Sequence, residues 1–423
     1  MPHRLIVLTQ LMCLGWAISN ATAAETPPNV VIILGDDQAW TDFGFMGHPV
    51  IQTPHLDRLA GESAAFVRGY VPSSLCRPSL ATLMTGRYPH EHKISGNDPP
   101  KGTDRKEMLR HIHSLPTLPK WLGEKGYLSL QTGKWWEGNY KEGGFTHGMT
   151  HGDPAKGGRH GDLGLKIGRE GNQPVADFLD QAKGKPFFIW YAPMLPHTPH
   201  TPPERLLKKY QTTDRPLTIA KYLAMCEWWD EHVGEILKML DERKLRDNTL
   251  VVFVTDNGWI QRPDANGFAP KSKRSPYDGG LRAPILVRWP GHVAPGRFET
   301  PVSSIDIAPT ILKACGVTPQ SPLPGRDLLD IAKQNGKSDR TALFGEIFEH
   351  DVADIDRPAK SLEYRWTLWN NRWKLIVPTA KDAAAELYDV LEDPKEERNQ
   401  AAMQPELVQK LTESLDAWWT PER

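Results

Sequence analysis

Cys76 opens the stretch with the most chemical potential, Ser74 to Arg87, which reads SLCRPSLATLMTGR. Pro78 and Ser79 follow the thiol, and Leu80, Leu83 and Met84 then recur at helical spacing, so a helix is expected to start here. Proline is tolerated in a first helical turn because its missing N–H would have had no partner there and its φ is already helical. The unpaired amides of that turn, with the positive end of the helix dipole, favour an anion. The pattern predicts a nucleophile at an anion-binding helix start; the competing reading of a lone cysteine is a small buried hydrophobe.

Paired oxygen ligands stand elsewhere in the chain. Asp36 and Asp37 follow the run NVVIIL, and Asp256 and Asn257 follow TLVVFVT. Adjacent carboxylates repel and gain nothing from a core, so a bound cation is the physical reason to keep them; a solvated acidic turn is the alternative. Three carboxylates and an amide oxygen form a hard-oxygen set that suits Ca²⁺ or Mg²⁺ and disfavours zinc. Lys134, Lys273 and His197 add positive charge and hydrogen-bond donors, and Pro196 and Pro199 stiffen the backbone around the imidazole. Such a constellation suits a tetrahedral oxyanion ester.

These groups must be held by strands. Asn29–Leu34, Tyr127–Thr132, Pro186–Tyr191 and Thr249–Thr255 are continuous apolar, largely β-branched or aromatic runs of the kind found in strands buried on both faces of a parallel sheet. A further strand is expected over Ala65–Val71, leading to Cys76, and another over Pro284–Trp289. Open α/β sheets bind ligands outside the carboxyl ends of their strands, where these residues fall. Helices are expected at Thr53–Ala60 with Thr53 as N-cap, and at Leu115–Lys125, Gln173–Gln181, Leu217–Arg243 and Ser304–Ala314. Ile94–His113 reads as loop. Glu142 to Gly171 holds ten glycines and the histidines His147, His151 and His160, and reads as a wall of the substrate pocket or as disordered chain. After a boundary near residue 335, four short strands and a helix at Pro405–Trp418 predict a small antiparallel sheet closed by a helix. The fold class is therefore α/β, a mostly parallel central sheet flanked by helices, with a C-terminal appendage.

The landmarks together resemble those of the formylglycine-dependent sulfatases. Asp36-Asp37, Cys76-x-Pro78-Ser79 with Thr85-Gly86-Arg87, Gly133-Lys134-Trp135, Pro196-His197-Thr198-Pro199, Asp256-Asn257-Gly258, Lys273 before Tyr277-Asp278-Gly279-Gly280, and Glu386-Leu387-Tyr388-Asp389 occur in the family's order. The resemblance implies an alkaline-phosphatase-like fold and a formylglycine made from Cys76 by formylglycine-generating machinery. It also implies a Ca²⁺ held by Asp36, Asp37, Asp256 and Asn257 with residue 76 beside it, and catalytic roles for Lys134, His197 and Lys273. In such enzymes the hydrated aldehyde attacks sulfur, the alcohol leaves, and the second hydroxyl expels sulfate. Two positions depart from the pattern: Leu80 stands where the family has an arginine, and Trp136 where it has a histidine after Gly-Lys-Trp. The expected activity is hydrolysis of sulfate esters, of a sulfated sugar or another small molecule. A phosphate or phosphonate ester hydrolase of the same fold and a non-catalytic binder with unmodified Cys76 are the alternatives.

Composition narrows the setting. With 51 basic and 52 acidic residues the formal charge is −1, which gives no electrostatic footprint for nucleic acid or a membrane surface. Residues 1–24 read as an export signal, with Arg4 before an apolar run and Ala21-Thr22-Ala23-Ala24 as small cleavage-site residues, so the mature protein is expected in the periplasm or secreted. Cys13 leaves with that signal. Cys76, Cys226 and Cys315 then remain, an odd number without the spacing of a disulfide framework. Catalytic chain is expected over 25–335 and a C-terminal α+β part over 336–423.

Overall fold

The computed structural model describes residues 26–152 and 163–422. The export-signal expectation for residues 1–24 and the pocket-wall expectation for His160 lie outside the described residues. Among the described residues no helix is long and apolar enough to cross a membrane.

Ten strands build the larger part of the molecule: β1 (Asn29–Gly35), β2 (Ala64–Phe66), β3 (Gly69–Tyr70), β4 (Leu128–Gly133), β5 (His147–Gly148), β6 (Phe187–Ala192), β7 (Thr249–Thr255), β8 (Ile285–Arg288), β9 (Gly296–Phe298) and β10 (Val302–Ser303). Eight of them form one sheet in the order β5-β4-β6-β1-β7-β8-β2-β9, and β3 pairs with β10. From β5 to β7 every pairing is parallel; β8 runs antiparallel to both β7 and β2. The β-branched run of β1 shows why the centre is parallel. Val30, Ile32 and Leu34 enter one apolar core and Val31 and Ile33 the other, so both faces of the strand are dry. The helices Cys76–Thr85, Leu118–Gly123 and Ile307–Ala314 cover the first face, and Pro54–Gly61, Gln173–Gln181 and Leu217–Glu242 the second.

The C-terminal strands β11 (Ala342–Phe348), β12 (Leu362–Trp369), β13 (Trp373–Pro378) and β14 (Glu386–Asp389) form an antiparallel sheet in sequence order. One face packs on the helix Pro405–Trp418 through Leu375, Leu387, Leu411 and Leu415. From the other, Leu343, Ile347, Trp366 and Ile376 join the core of the main sheet.

Three local expectations are corrected. The strand expected over Ala65–Val71 is two pieces, because β2 joins the main sheet whereas β3 pairs with β10. The stretch read as loop from Ile94 to His113 holds helices at Arg105–Met108 and Arg110–Ser114; Asp104 Oδ1 caps the first by accepting from the Lys106 amide at 2.9 Å, a short-range signal the absence of long periodicity hid. Thr53 precedes its helix but does not cap it. Its hydroxyl accepts from the Gly44 amide and donates to Asp57, and the helix start is capped instead by Asp230, whose carboxylate accepts from the amides of His55 and Leu56 at 3.1 and 2.7 Å.

Candidate active site

Four parallel strands deliver their carboxyl ends to one place. β1 ends at Asp36 and Asp37, β4 at Lys134, β7 at Asp256 and Asn257, and β6 leads through Leu195 and Pro196 to His197. The ends are tied by main chain: Asp36 donates its amide to Leu195 O and Asp256 its amide to Gly35 O, both at 3.0 Å. Asp37 sits at φ 60°, a left-handed conformation that is uncommon outside glycine but in which aspartate is enriched. Gly133 and Gly258 are required by close approach. A Cβ at Gly133 would lie 1.9 Å from Ala192 O, and one at Gly258 would lie 2.1 Å from Gly279 O.

Ligand atoms of Asp36, Asp37, Cys76 and Asp256 all lie within 4.8 Å of one another, and all four residues are buried. Lys134 Nζ donates to Asp36 Oδ1 at 2.5 Å and Asp256 Oδ2 at 2.9 Å. Lys273 Nζ donates to both Asp37 oxygens at 2.6 and 2.8 Å and contacts Cys76 Sγ at 3.0 Å. Asn257 Nδ2 donates to Asp37 Oδ1 at 2.7 Å. His197 Nε2 stands 3.5 Å from Asp37 Oδ2, and its Nδ1 faces Thr198 O at 2.6 Å.

Three acids against two ammonium groups leave this cluster one negative charge in excess. Two like charges about 4 Å apart repel by about 4 kcal/mol at an effective dielectric of about 20, so the set favours added positive charge. Two buried oxygens, Asp36 Oδ2 and Asn257 Oδ1, have no hydrogen-bond partner. Hard oxygens without donors, in a net-anionic cage, fit a divalent cation such as Ca²⁺ or Mg²⁺.

Burial raises the Asp36 carboxyl and pushes Asp256 up to about 6, against the pull of Lys134. At Asp37 the same burial is outweighed by Lys273 and His197, which hold the group well below the usual range. Burial would lower the two lysines, but the carboxylates reverse this and keep both strongly cationic. The His197 imidazole is pushed down to about 4 by burial, with Asp37 acting the other way. Burial also pushes the Cys76 thiol up to about 12 despite Lys134 and Lys273. A thiol so placed is protonated at neutral pH and is a poor nucleophile as cysteine.

The helix start differs from its sequence expectation. Cys76 is the first residue of the helix Cys76–Thr85, as the proline position implied, but the amides that follow it are engaged or missing. The Arg77 amide donates to Asn97 Oδ1 at 3.0 Å, Pro78 has none, and Ser79 bonds to Leu75 O. Positive charge at residue 76 comes chiefly from Lys134 and Lys273. Arg77 itself is turned away, paired with Glu137 at 2.6 and 2.7 Å and donating to Gly96 O and Met108 O. Leu80 lies in the apolar core, and Trp136 lies beneath Arg105, whose guanidinium carbon is 5.2 Å from the ring.

Sequence reasoning missed Asp42, Tyr222, His200 and Arg169. Tyr222, on the long helix Leu217–Glu242, donates to Asp42 Oδ2 at 2.5 Å and lies 3.4 Å from the carbonyl of Asp37, bracing the loop that follows β1. Its place in an apolar helical stripe concealed it. His200 is buried between the rings of Tyr222 and Trp259; the repeated proline–histidine pattern around it was the available signal.

A helix that begins at Cys76 beside a carboxylate cage, at the carboxyl edge of a mostly parallel sheet with an antiparallel C-terminal sheet, defines the alkaline-phosphatase-like class of hydrolase fold. Residues 28–317 match the family model described as Sulfatase, and residues 268–419 match that of the N-sulphoglucosamine sulphohydrolase C-terminal region. The chain is 30% identical to human N-acetylgalactosamine-6-sulfatase over 409 residues, spanning 84% of this chain and 74% of that protein. It is 29% identical to human arylsulfatase A over 378 residues, 78% of this chain and 72% of the relative. Among solved structures, Ps i-CgsB in complex with k-i-k-neocarrahexaose superposes with a TM-score of 0.75 at 25% identity, covering 94% of each chain. The chain belongs to the sulfatase family and is a sulfuric ester hydrolase.

Proposed function

We propose that this protein is an exported sulfatase that removes sulfate from a sulfated carbohydrate, using a formylglycine made from Cys76 and a Ca²⁺ held by Asp36, Asp37, Asp256 and Asn257. The observation that carries the reading is Lys273, whose ammonium joins the metal cage at Asp37 to residue 76 at 3.0 Å. Two neighbours, an N-acetylgalactosamine-6-sulfatase and a structure in complex with k-i-k-neocarrahexaose, support a glycan sulfate as substrate. On this reading residues 25–335 form the catalytic part and 336–423 the C-terminal part, and formylglycine-generating machinery is a partner during maturation.

The formylglycine would supply an oxygen nucleophile in place of the buried thiol, and the cation would orient it and draw charge from the sulfate oxygens. The remaining work falls to the chain. Lys134 and Lys273, fixed by the carboxylates, offer donors to the sulfate oxygens as charge moves onto them. With Leu80 carrying no charge where the family has an arginine, Lys134 and Lys273 are the cations left to face residue 76. His197 moves a proton to the ester's bridging oxygen as the alcohol leaves, a role worth about 10² to 10⁴ in rate. The depressed imidazole requires the anionic ester nearby to favour its protonated form.

The test is release of inorganic sulfate from sulfated saccharides by the Ca²⁺-loaded protein, with a phosphate monoester of the same sugar alongside. Preferential sulfate release is expected. Faster phosphate release would transfer the assignment to a phosphoester hydrolase of this fold.

A further inference from the structure

The glycine-rich stretch ends in a tight turn that presents Arg169 to the loop carrying His197. Gly168 and Gly171 exchange main-chain hydrogen bonds at 3.0 and 3.2 Å, with φ of 78° and 101°. The turn is pressed against that loop: a Cβ on Gly168 would sit 3.0 Å from Leu195 Cδ1. From it Arg169 Nη2 donates to the carbonyls of Met194 and His197, each at 3.0 Å, and Nη1 donates to Thr201 Oγ1 at 3.0 Å. The guanidinium carbon lies 5.9 Å from the centre of the Trp228 ring.

These acceptors bracket His197 from both sides. On the near side the loop is tied to the metal cage, through the Asp36 amide on Leu195 O. On the far side Arg169 reaches past the imidazole to Thr201, so one planar fork holds both limbs of the loop. A lysine ammonium is a single point donor and lacks the planar fork by which Nη1 and Nη2 bond separate limbs. We propose that Arg169 is a positioning residue for His197: it sets the distance of the imidazole from the leaving oxygen, without touching substrate. The proposal rests on His197 being the proton donor. Displacing a reacting group by about 1 Å can cost about 10² in rate, which gives such a clamp a measurable consequence.

The experiment is a double-mutant cycle between Arg169→Gln and His197→Ala, read as kcat over a series of aryl sulfates of graded leaving-group pKa, with melting temperatures measured in parallel. Arg169→Gln should cut kcat about 10- to 100-fold for the poorest leaving groups and little for the most activated, with KM nearly unchanged. Arg169→Lys should not rescue it. Introduced into His197→Ala, the same change should have almost no further effect. Thr201→Val, which removes one acceptor and keeps the arginine, should act in the same direction but more weakly, and serves if Arg169→Gln does not fold. A readout without turnover is the His197 imidazole nitrogen resonances of the metal-free protein, which should shift in Arg169→Gln while those of buried His92 stay in place. Equal losses across the leaving groups, or a full Arg169 effect retained in His197→Ala, would overturn the proposal. If His197→Ala alone shows no leaving-group discrimination, the proton-donor reading falls first, and this proposal with it.

Discussion

Cys76 gains its chemistry from neighbours that lie far away in sequence. Lys273, 197 positions later, supplies the cation 3.0 Å from its sulfur, and Asp36, Asp37 and Asp256 supply the cage beside it. Residue types and strand ends made these groups legible, because a carboxylate pair after a buried strand has few other physical reasons to exist. The supply of positive charge was not legible: the helix start looked like the donor, whereas Asn97 takes the Arg77 amide and the nearest cations are Lys134 and Lys273. Asp256→Ala should lose both the cation and hydrolysis, since it removes an acid shared by the cage and Lys134; elemental analysis of the purified variant checks this, and full Ca²⁺ occupancy would refute the ligand assignment. Leu80 is four residues after Cys76, on the same face of the helix. With standard formylglycine machinery, Leu80→Arg should raise the aldehyde fraction at residue 76 and sulfate release together, both read on one preparation by peptide mass and sulfate assay. A rise in neither would mean that this chain needs no cation at that position.

At the scale of elements, the long buried strands and amphipathic helices were readable because each one repeats a single requirement over many residues. Gln173–Gln181, Thr249–Thr255 and Pro405–Trp418 occupy the spans their patterns predicted. Elements of two to five residues, such as β3 or Arg110–Ser114, depend on partners remote in the chain and left no comparable trace. The cap of the helix Pro54–Gly61 is of this kind. Asp230 crosses from another helix to accept its first amides, and burial nevertheless pushes the Asp230 carboxyl up to about 7, those two amides acting against the rise. A carboxyl with a folded pKa above its unfolded value of about 4 gives stability that is fully present at lower pH and is lost as pH rises through about 7. Asp230→Asn should therefore flatten the pH dependence of the urea midpoint between about pH 4 and 7 relative to the parent chain. An unchanged slope would show that the carboxyl titrates normally in the fold.

The molecule as a whole is joined at a charged, dry seam. Lys374 of β13 is fully buried, donates to Asp278 at 2.7 Å and is ion-paired with Glu396 at 2.8 Å, while Tyr70 donates to the other oxygen of Asp278 at 3.0 Å. Asp278 was visible in the sequence as part of a landmark next to Lys273, but its work here is to couple the C-terminal sheet to the segment that carries that lysine. Removing one member of a buried ionic group leaves uncompensated charge, so Lys374→Met should destabilise by about 3–5 kcal/mol. Chemical denaturation checks this, with loss of a single cooperative transition as a further sign that the two sheets act together. Strand alternation made the two-sheet architecture legible, but not this seam, because its partners lie 96 and 22 residues from Lys374. The proposed formylglycine at residue 76 would draw on this whole arrangement, and the mass of the peptide spanning that residue, taken from the protein made in its own host, is the measurement to make. An aldehyde in place of the thiol is the predicted result; an intact Cys76 in material that nevertheless releases sulfate would contradict the account.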